Sequence, residues 1–145
     1  MSEPLEGCLS FLLGKAYARV QADFRRLLAP HGVTPAQYAV LKALWDGDGV
    51  AASALVERLR LDPATVSGLL DRLEASELLR RAPDPHDRRV QRVCLTAQGR
   101  ALQTPLEAVQ DQVNAEALAD LSAAETRQFK VLLAELGGVR EGQPT

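Results

Sequence analysis

Apolar residues recur at three- and four-residue steps along most of the chain, in blocks separated by proline, glycine and capping residues. From Leu5 to Ala29 the stripe Leu9, Leu12, Leu13, Ala16, Val20, Phe24, Leu27 and Leu28 predicts one long amphipathic helix, closed by Pro30-His31-Gly32. Thr34-Pro35-Ala36-Gln37 supplies a cap, a proline at the first helical position and a glutamine at the third, so a second helix is predicted to about Trp45. Asp46-Gly47-Asp48-Gly49 reads as a turn, and Val50-Ala51 has room for a very short strand. Ser53 to Leu59 has the length of two helical turns. Asp62 and Pro63 then offer a fresh cap and a fresh first-turn proline, so two short helices abut, the second reaching about Ala75.

That second short helix sets Val66, Leu69, Leu70 and Leu73 on one face and Thr65, Ser67, Gly68, Asp71 and Arg72 toward solvent. The pattern then changes. Leu78 to Ala82 and Gln91 to Leu95 are strand-length segments joined by residues 83–90, which predicts a hairpin with an arginine-bearing tip. Thr96 caps a long helix through roughly Asp120, bent near Pro105, and Ser122-Ala123-Ala124-Glu125 is a second capping box opening a last helix to Leu136. Gly137-Gly138 stops it, and the last few residues are expected to fray. The fold class is mainly α with a minor β part.

Composition agrees with one domain over residues 1–145. The length of 145 residues suffices for a sizeable core, and 46% hydrophobic with 25% charged residues is a globular balance. Only 4% of residues are aromatic, which favours helices over a sandwich or barrel. The start has neither a basic leader nor a cleavable apolar core, and no apolar run approaches a membrane span, so the expectation is a soluble, cytoplasmic protein. Cys8 and Cys94 lack CxxC spacing and are read as reduced and partly buried, Cys94 as structural. Net charge is −2, but its distribution is uneven. Residues 78–100 carry Arg80, Arg81, Arg88, Arg89, Arg92 and Arg100 against Asp84 and Asp87, whereas residues 101–145 carry three basic and seven acidic residues.

Two short helices followed by a β-hairpin is the winged helix-turn-helix order, and its dimensions suit duplex DNA. The second short helix fits a major groove of about 12 Å, while the hairpin tip reaches the backbone or the adjacent minor groove. Ala64, Thr65, Ser67 and Gly68 are small enough to permit close approach to base edges, and Ser53 and Arg72 complete the candidate helix contacts. The amides at the start of the helix are a further candidate, for a phosphate. Gly68 has two open readings, a close backbone approach or a tolerated surface glycine.

These residues carry a resemblance. Asp62-Pro63-Ala64-Thr65-Val66-Ser67-Gly68-Leu69-Leu70-Asp71-Arg72-Leu73-Glu74, and above all Asp84-Pro85-His86-Asp87-Arg88-Arg89-Val90-Gln91-Arg92-Val93-Cys94-Leu95-Thr96-Ala97-Gln98-Gly99, resemble the recognition helix and wing of MarR-type regulators. The likeness covers about residues 5–137. It implies a DNA-binding lobe over 34–96 and dimerisation helices over 5–29 and 97–137, the pair presenting two recognition helices to a pseudopalindromic operator. It implies that Arg88 enters the minor groove and that Asp87 holds the wing by pairing with an arginine; Arg89 either makes that pair or touches phosphate. Family members often carry a reaching side chain where Gly68 stands, which shifts base readout toward Thr65, Ser67 and Arg72.

The resemblance further implies a repressor released by a small, phenolic ligand in a crevice for which Phe11, Tyr17, Tyr38, Leu41 and Arg80 are candidates, plain core being the other reading of the aromatics. A redox-sensing branch places a reactive cysteine in the first helix, at the position of Ser10 here; Cys8 points to another face, so that alternative is disfavoured. A second alternative is a winged-helix module that binds protein without DNA. His31 and His86 are far apart and no ligand cluster is visible, so no metal is assigned. The absence of P-loop, GxSxG, GxGxxG and HExxH patterns gives no enzyme and no cofactor.

Overall fold

Several helices begin where a side chain satisfies their first free amides. In the structure, a computed structural model that describes residues 2–139, α1 spans Leu9–Leu28 and α2 spans Pro35–Asp46. Thr34 caps α2 with a complete capping box: its hydroxyl accepts the Gln37 amide at 3.2 Å and the Gln37 side chain accepts the Thr34 amide at 3.0 Å. β1 (Val50–Ala51) leads directly into α3 (Ala52–Leu59), and α4 (Pro63–Ala75) follows after three residues. β2 (Leu79–Pro83) and β3 (Gln91–Leu95) form the hairpin. α5 (Ala97–Ala101), α6 (Gln103–Ala117) and α7 (Ala123–Leu136) complete the order, α7 opening on a second capping box between Ser122 and Glu125. The fraying expected at the extreme end concerns residues 140–145, outside those described.

Two boundaries differ from the sequence reading. The first helix starts at Leu9 because Leu5–Gly7 is a 3-10 turn and Cys8 is extended, at φ −70° and ψ 115°. The long helix expected after Thr96 breaks at Leu102: Pro105 has no N–H to offer the carbonyl of Ala101, so the break falls one turn before the proline. The short strand at Val50-Ala51 is present, and the sheet order is β1-β3-β2, all antiparallel, with Val50 opposite Val93 and Arg81 opposite Val93 on the other side.

The chain divides into two compact units, Met1–Gln110 and Asp111–Thr145. In the first, Leu28, Val40, Leu41, Leu44, Leu55, Val66, Leu70, Leu73, Leu79, Val93 and Leu106 are fully buried. Each such side chain contributes about 1.5–3 kcal/mol of burial free energy. The division falls inside α6, beyond residue 96, because the start of α6 is tied to α2: the Tyr38 hydroxyl donates to Gln110, and Lys42 Nζ lies 2.7 Å from Glu107 Oε1. In the second unit α7 exposes Phe129, Leu132, Leu133 and Leu136; in the first, α1 exposes Leu9, Leu12, Leu13 and Val20. Among the described residues no helix is long and apolar enough to cross a membrane.

Gly99 fixes how the hairpin meets the helix that follows it. A Cβ there would stand 2.0 Å from the Leu78 carbonyl oxygen, whose position is set by backbone and cannot yield. Around it the Thr96 hydroxyl accepts the Gly99 amide at 3.0 Å, and the Gly99 carbonyl accepts the Trp45 indole N–H at 3.0 Å. Gly99→Ala is therefore expected to cost about 2 kcal/mol or more, read as a fall in the thermal midpoint; a wild-type midpoint would contradict the close approach.

Candidate nucleic-acid interface

α3 and α4 are joined by Arg60, Leu61 and Asp62, with Arg60 in the left-handed region at φ 54° so that the chain turns sharply. Asp62 caps α4: Oδ1 accepts the Thr65 amide at 2.9 Å and Oδ2 accepts the Thr65 hydroxyl at 2.6 Å. These bonds, that from the Thr65 hydroxyl foremost, hold the Asp62 carboxyl below the ordinary aspartate range. Val66, Leu69, Leu70 and Leu73 are buried, which rolls Ala64, Thr65, Ser67, Asp71 and Arg72 outward, with Gly68 half-buried among them. Ser53 is exposed in the first turn of α3. A methyl at Gly68 would meet only Arg72 Nη2, at an ordinary contact of 3.5 Å, so packing within the chain does not demand glycine there.

The phosphate site expected at the start of α4 is not available. Pro63 has no N–H, the Thr65 amide is taken by the Asp62 carboxylate and the Val66 amide by the Asp62 carbonyl. The negative cap occupies the place an anion would take.

The wing is held by carboxylates. The Asp84 amide donates to the Val90 carbonyl at 2.8 Å to close the tip, and Asp84 Oδ1 accepts the amides of His86 and Asp87 at 2.8 and 3.1 Å. Asp84 Oδ2 receives Arg92 Nε at 2.6 Å. Asp84 is only 6% exposed, and its carboxyl is held below the ordinary range by the Arg92 guanidinium first and the His86 amide next. Asp87 accepts Nε and Nη2 of Arg89, both at 3.1 Å. Behind the wing, Arg81 pairs with Asp71 and Glu74 of α4 while its amide donates to Glu74 at 2.8 Å, locking strand β2 to the helix.

This pairing changes the meaning of the basic cluster. Of the six arginines in residues 78–100, Arg81, Arg89, Arg92 and Arg100 each have a carboxylate partner within 3.2 Å, whereas Arg80 and Arg88 have no ion pair with another described residue. At the exposed tip, Arg88 is the cation that no carboxylate neutralises. Charge counting could not separate these groups, because Asp48, Asp71 and Glu74 reach their arginines only through the fold. The aspartate directly after β2, three residues before Asp87, is the one local sign of the Asp84 clamp, since aspartates before prolines accept amides two and three residues on.

The five crevice candidates do not line one cavity. Leu41 is fully buried, Tyr17 is 67% exposed, and Phe11 is half-buried on α1 with Lys15 Nζ 5.5 Å from its ring centre. Arg80 lies at a separate shallow concavity with Glu74, Glu77 and Thr96. Tyr38 lines an open crevice of about 410 Å³ between α1, α2 and α3, with Gln21, Phe24, Lys42, Arg58 and Leu59. There the Phe24 and Tyr38 rings meet edge to face at 4.9 Å. Lys42 pairs with Glu107 and Asp46, and Arg58 Nη2 lies 2.6 Å from Asp46 Oδ2. The hydrogen bond to Glu107 raises the Lys42 ammonium above its ordinary range.

Cys8 and Cys94 are free thiols and both are exposed, not partly buried. Cys94 alternates along β3 with buried Val93 and Leu95, so the pleat turns it outward. Among the described residues no three of His, Cys, Asp and Glu converge in a group that could hold a metal ion.

Asp62 and Asp84 titrate lower in the folded chain than in the unfolded one. Their contribution to stability is therefore complete above the unfolded value of about 3.9 and is lost as the pH falls through the lower folded values. Thermal midpoints followed by circular dichroism are expected to fall as the pH drops below about 4; a midpoint that rises on acidification would contradict these clamps.

The matches to known proteins agree with this geometry. The MarR family model matches residues 31–90. The chain is 34% identical over 125 residues to the HTH-type transcriptional repressor NicR of Pseudomonas putida, covering 86% of this chain and 79% of that protein. It is 38% identical over 105 residues to the HTH-type transcriptional regulator TtmR of Methylorubrum extorquens, covering 72% of this chain but only 54% of that protein. It also superposes on Bordetella bronchiseptica BpsR, described with a mechanism for regulation of DNA binding by 6-hydroxynicotinic acid, with a TM-score of 0.81 and 34% identity over 89% of this chain and 98% of that one. The small-faced helix after a tight turn, the clamped wing and these similarities together place the chain in the MarR family.

Proposed function

We propose that this chain is a sequence-specific DNA-binding regulator, a repressor that acts as a homodimer and leaves a pseudopalindromic operator when a small aromatic acid binds. The observation that carries the reading is the pairing of two surfaces: the small polar face of α4, turned outward by its four buried apolar residues, and a wing tip whose exposed Arg88 has no carboxylate partner. Ala64, Thr65, Ser67, Gly68 and Arg72 are the groups offered to base edges, with Ser53 beside them on α3 and Arg88 offered to the minor groove. Arg89 serves the wing through Asp87 more than it serves DNA. α1 and α7 each leave apolar residues exposed for a second copy to cover, which would set two recognition helices about 34 Å apart.

For the ligand, the crevice at Tyr38 is the favoured site. Its volume of about 410 Å³ suits a small molecule. Its edge-to-face rings offer an aromatic slot, and Lys42 and Arg58 would meet a ligand carboxylate by exchanging it for Glu107 and Asp46. The regulation of BpsR by an aromatic acid supports the same ligand class. Occupancy would disturb the Lys42 pair with Glu107 and the Arg58 pair with Asp46, the links between α2, α3 and α6, and so shift the recognition helix.

The test is a gel shift with the DNA flanking the coding region, titrated with salt. Affinity is expected to fall steeply as salt rises, and Arg88→Ala to weaken binding to every sequence while lowering the salt slope by about one. Ser67→Ala is expected instead to change the preferred base at one position by about 1–3 kcal/mol. No binding even in dilute salt would refute the reading. A panel of hydroxylated aromatic acids is expected to release the DNA, and Lys42→Met to raise the concentration needed by about tenfold or more; unchanged affinity across the panel would refute the ligand.

A further inference from the structure

Arg92 lies at the junction between the wing tip and the helix-turn-helix. It sits on β3, the central strand, opposite Ala82 of β2 and Ala51 of β1. Its Nε donates to Asp84 at 2.6 Å, and its Nη1 donates to the Gly49 carbonyl at 3.3 Å. The first contact reaches the carboxylate that organises the tip. Asp84 in turn holds the amides of His86 and Asp87, the latter directly before Arg88. The second contact reaches the residue before β1, which runs without a loop into α3. One planar guanidinium, 44% exposed, thus spans the turn that carries Arg88 and the strand that starts the helix pair, and both its bonds are made to groups of this chain.

We propose that Arg92 is a positioning residue for DNA binding: through Asp84 and the Gly49 carbonyl it sets the direction in which the wing tip presents Arg88, without itself contacting the duplex. The inference rests on the DNA-binding reading above. It predicts a dependence between two arginines that never touch. An arginine that contributes charge to the DNA surface acts alongside Arg88, and the losses on removing each then add. One that only aims Arg88 has nothing left to do once Arg88 is gone. Lysine also separates the cases, since it keeps the charge but has no planar fork to reach carboxylate and carbonyl together.

The experiment is a double-mutant cycle on the purified full chain, with the duplex that the wild-type protein selects from a randomised pool, measured over a range of salt. Arg92→Ala is expected to lower affinity about tenfold and, because that loss comes through Arg88, to reduce the salt slope by no more than Arg88→Ala does, about one. The double variant is expected to bind no more weakly than Arg88→Ala alone, and Arg92→Lys to stay as weak as Arg92→Ala. Hydrogen exchange is expected to quicken only at the amides of residues 84–90. Should Arg92→Ala fail to fold, Asp84→Asn opens the same clamp from its other side and carries the same cycle. Additive losses, a salt slope lower in the double variant than in Arg88→Ala, or recovery with lysine would overturn the inference alone. A wild-type chain that selects no duplex would overturn the regulator reading and this inference with it.

Discussion

The burial of Val66, Leu69, Leu70 and Leu73 along one side of α4 is the constraint on which the rest depends. A helix of 13 residues has few ways to hide four large apolar side chains at once, and the one adopted leaves Ala64, Thr65, Ser67 and Arg72 facing outward. Arg81 then fastens the same helix to β2 through Asp71 and Glu74, so the recognition face and the wing are tied to one another. The Gly99 contact with Leu78 and the Trp45 indole hold the far end of the hairpin in the same way.

Electrostatics works here by subtraction. A surface with many arginines attracts polyanions only to the extent that those charges are free. Carboxylates from three segments, the turn before β1, α4 and the wing loop, pair with Arg81, Arg89, Arg92 and Arg100. What remains at the tip is concentrated in one side chain. The same logic closes the start of α4 to phosphate, since Asp62 already supplies the anion. An overall charge of −2 says little about any of this, because the pairs that decide the field are local.

Much of this was legible in the sequence, and the divide follows the range of the interaction. The caps at Thr34, Asp62, Thr96 and Ser122 depend on residues three positions apart, and each stands where the sequence places it. The order of helices and hairpin, the short strand at Val50-Ala51 and the outward face of α4 follow from periodicity. Illegible were the contacts made across the fold: the ties of Arg100 to Asp48 and of Arg92 to Gly49, which are 52 and 43 residues apart. The crevice shows the same limit. Tyr38 lines it, but Phe24, Lys42 and Arg58 come from three helices whose packing no local pattern specifies.

The central claim is that two copies of this surface read one duplex, and hydroxyl-radical footprinting on a selected duplex tests it most directly. The account expects two protected patches related by two-fold symmetry and about 10 base pairs apart, with further protection in the minor groove beside each from the wing tip. A single patch, or cleavage as uniform as that of free DNA, would contradict it.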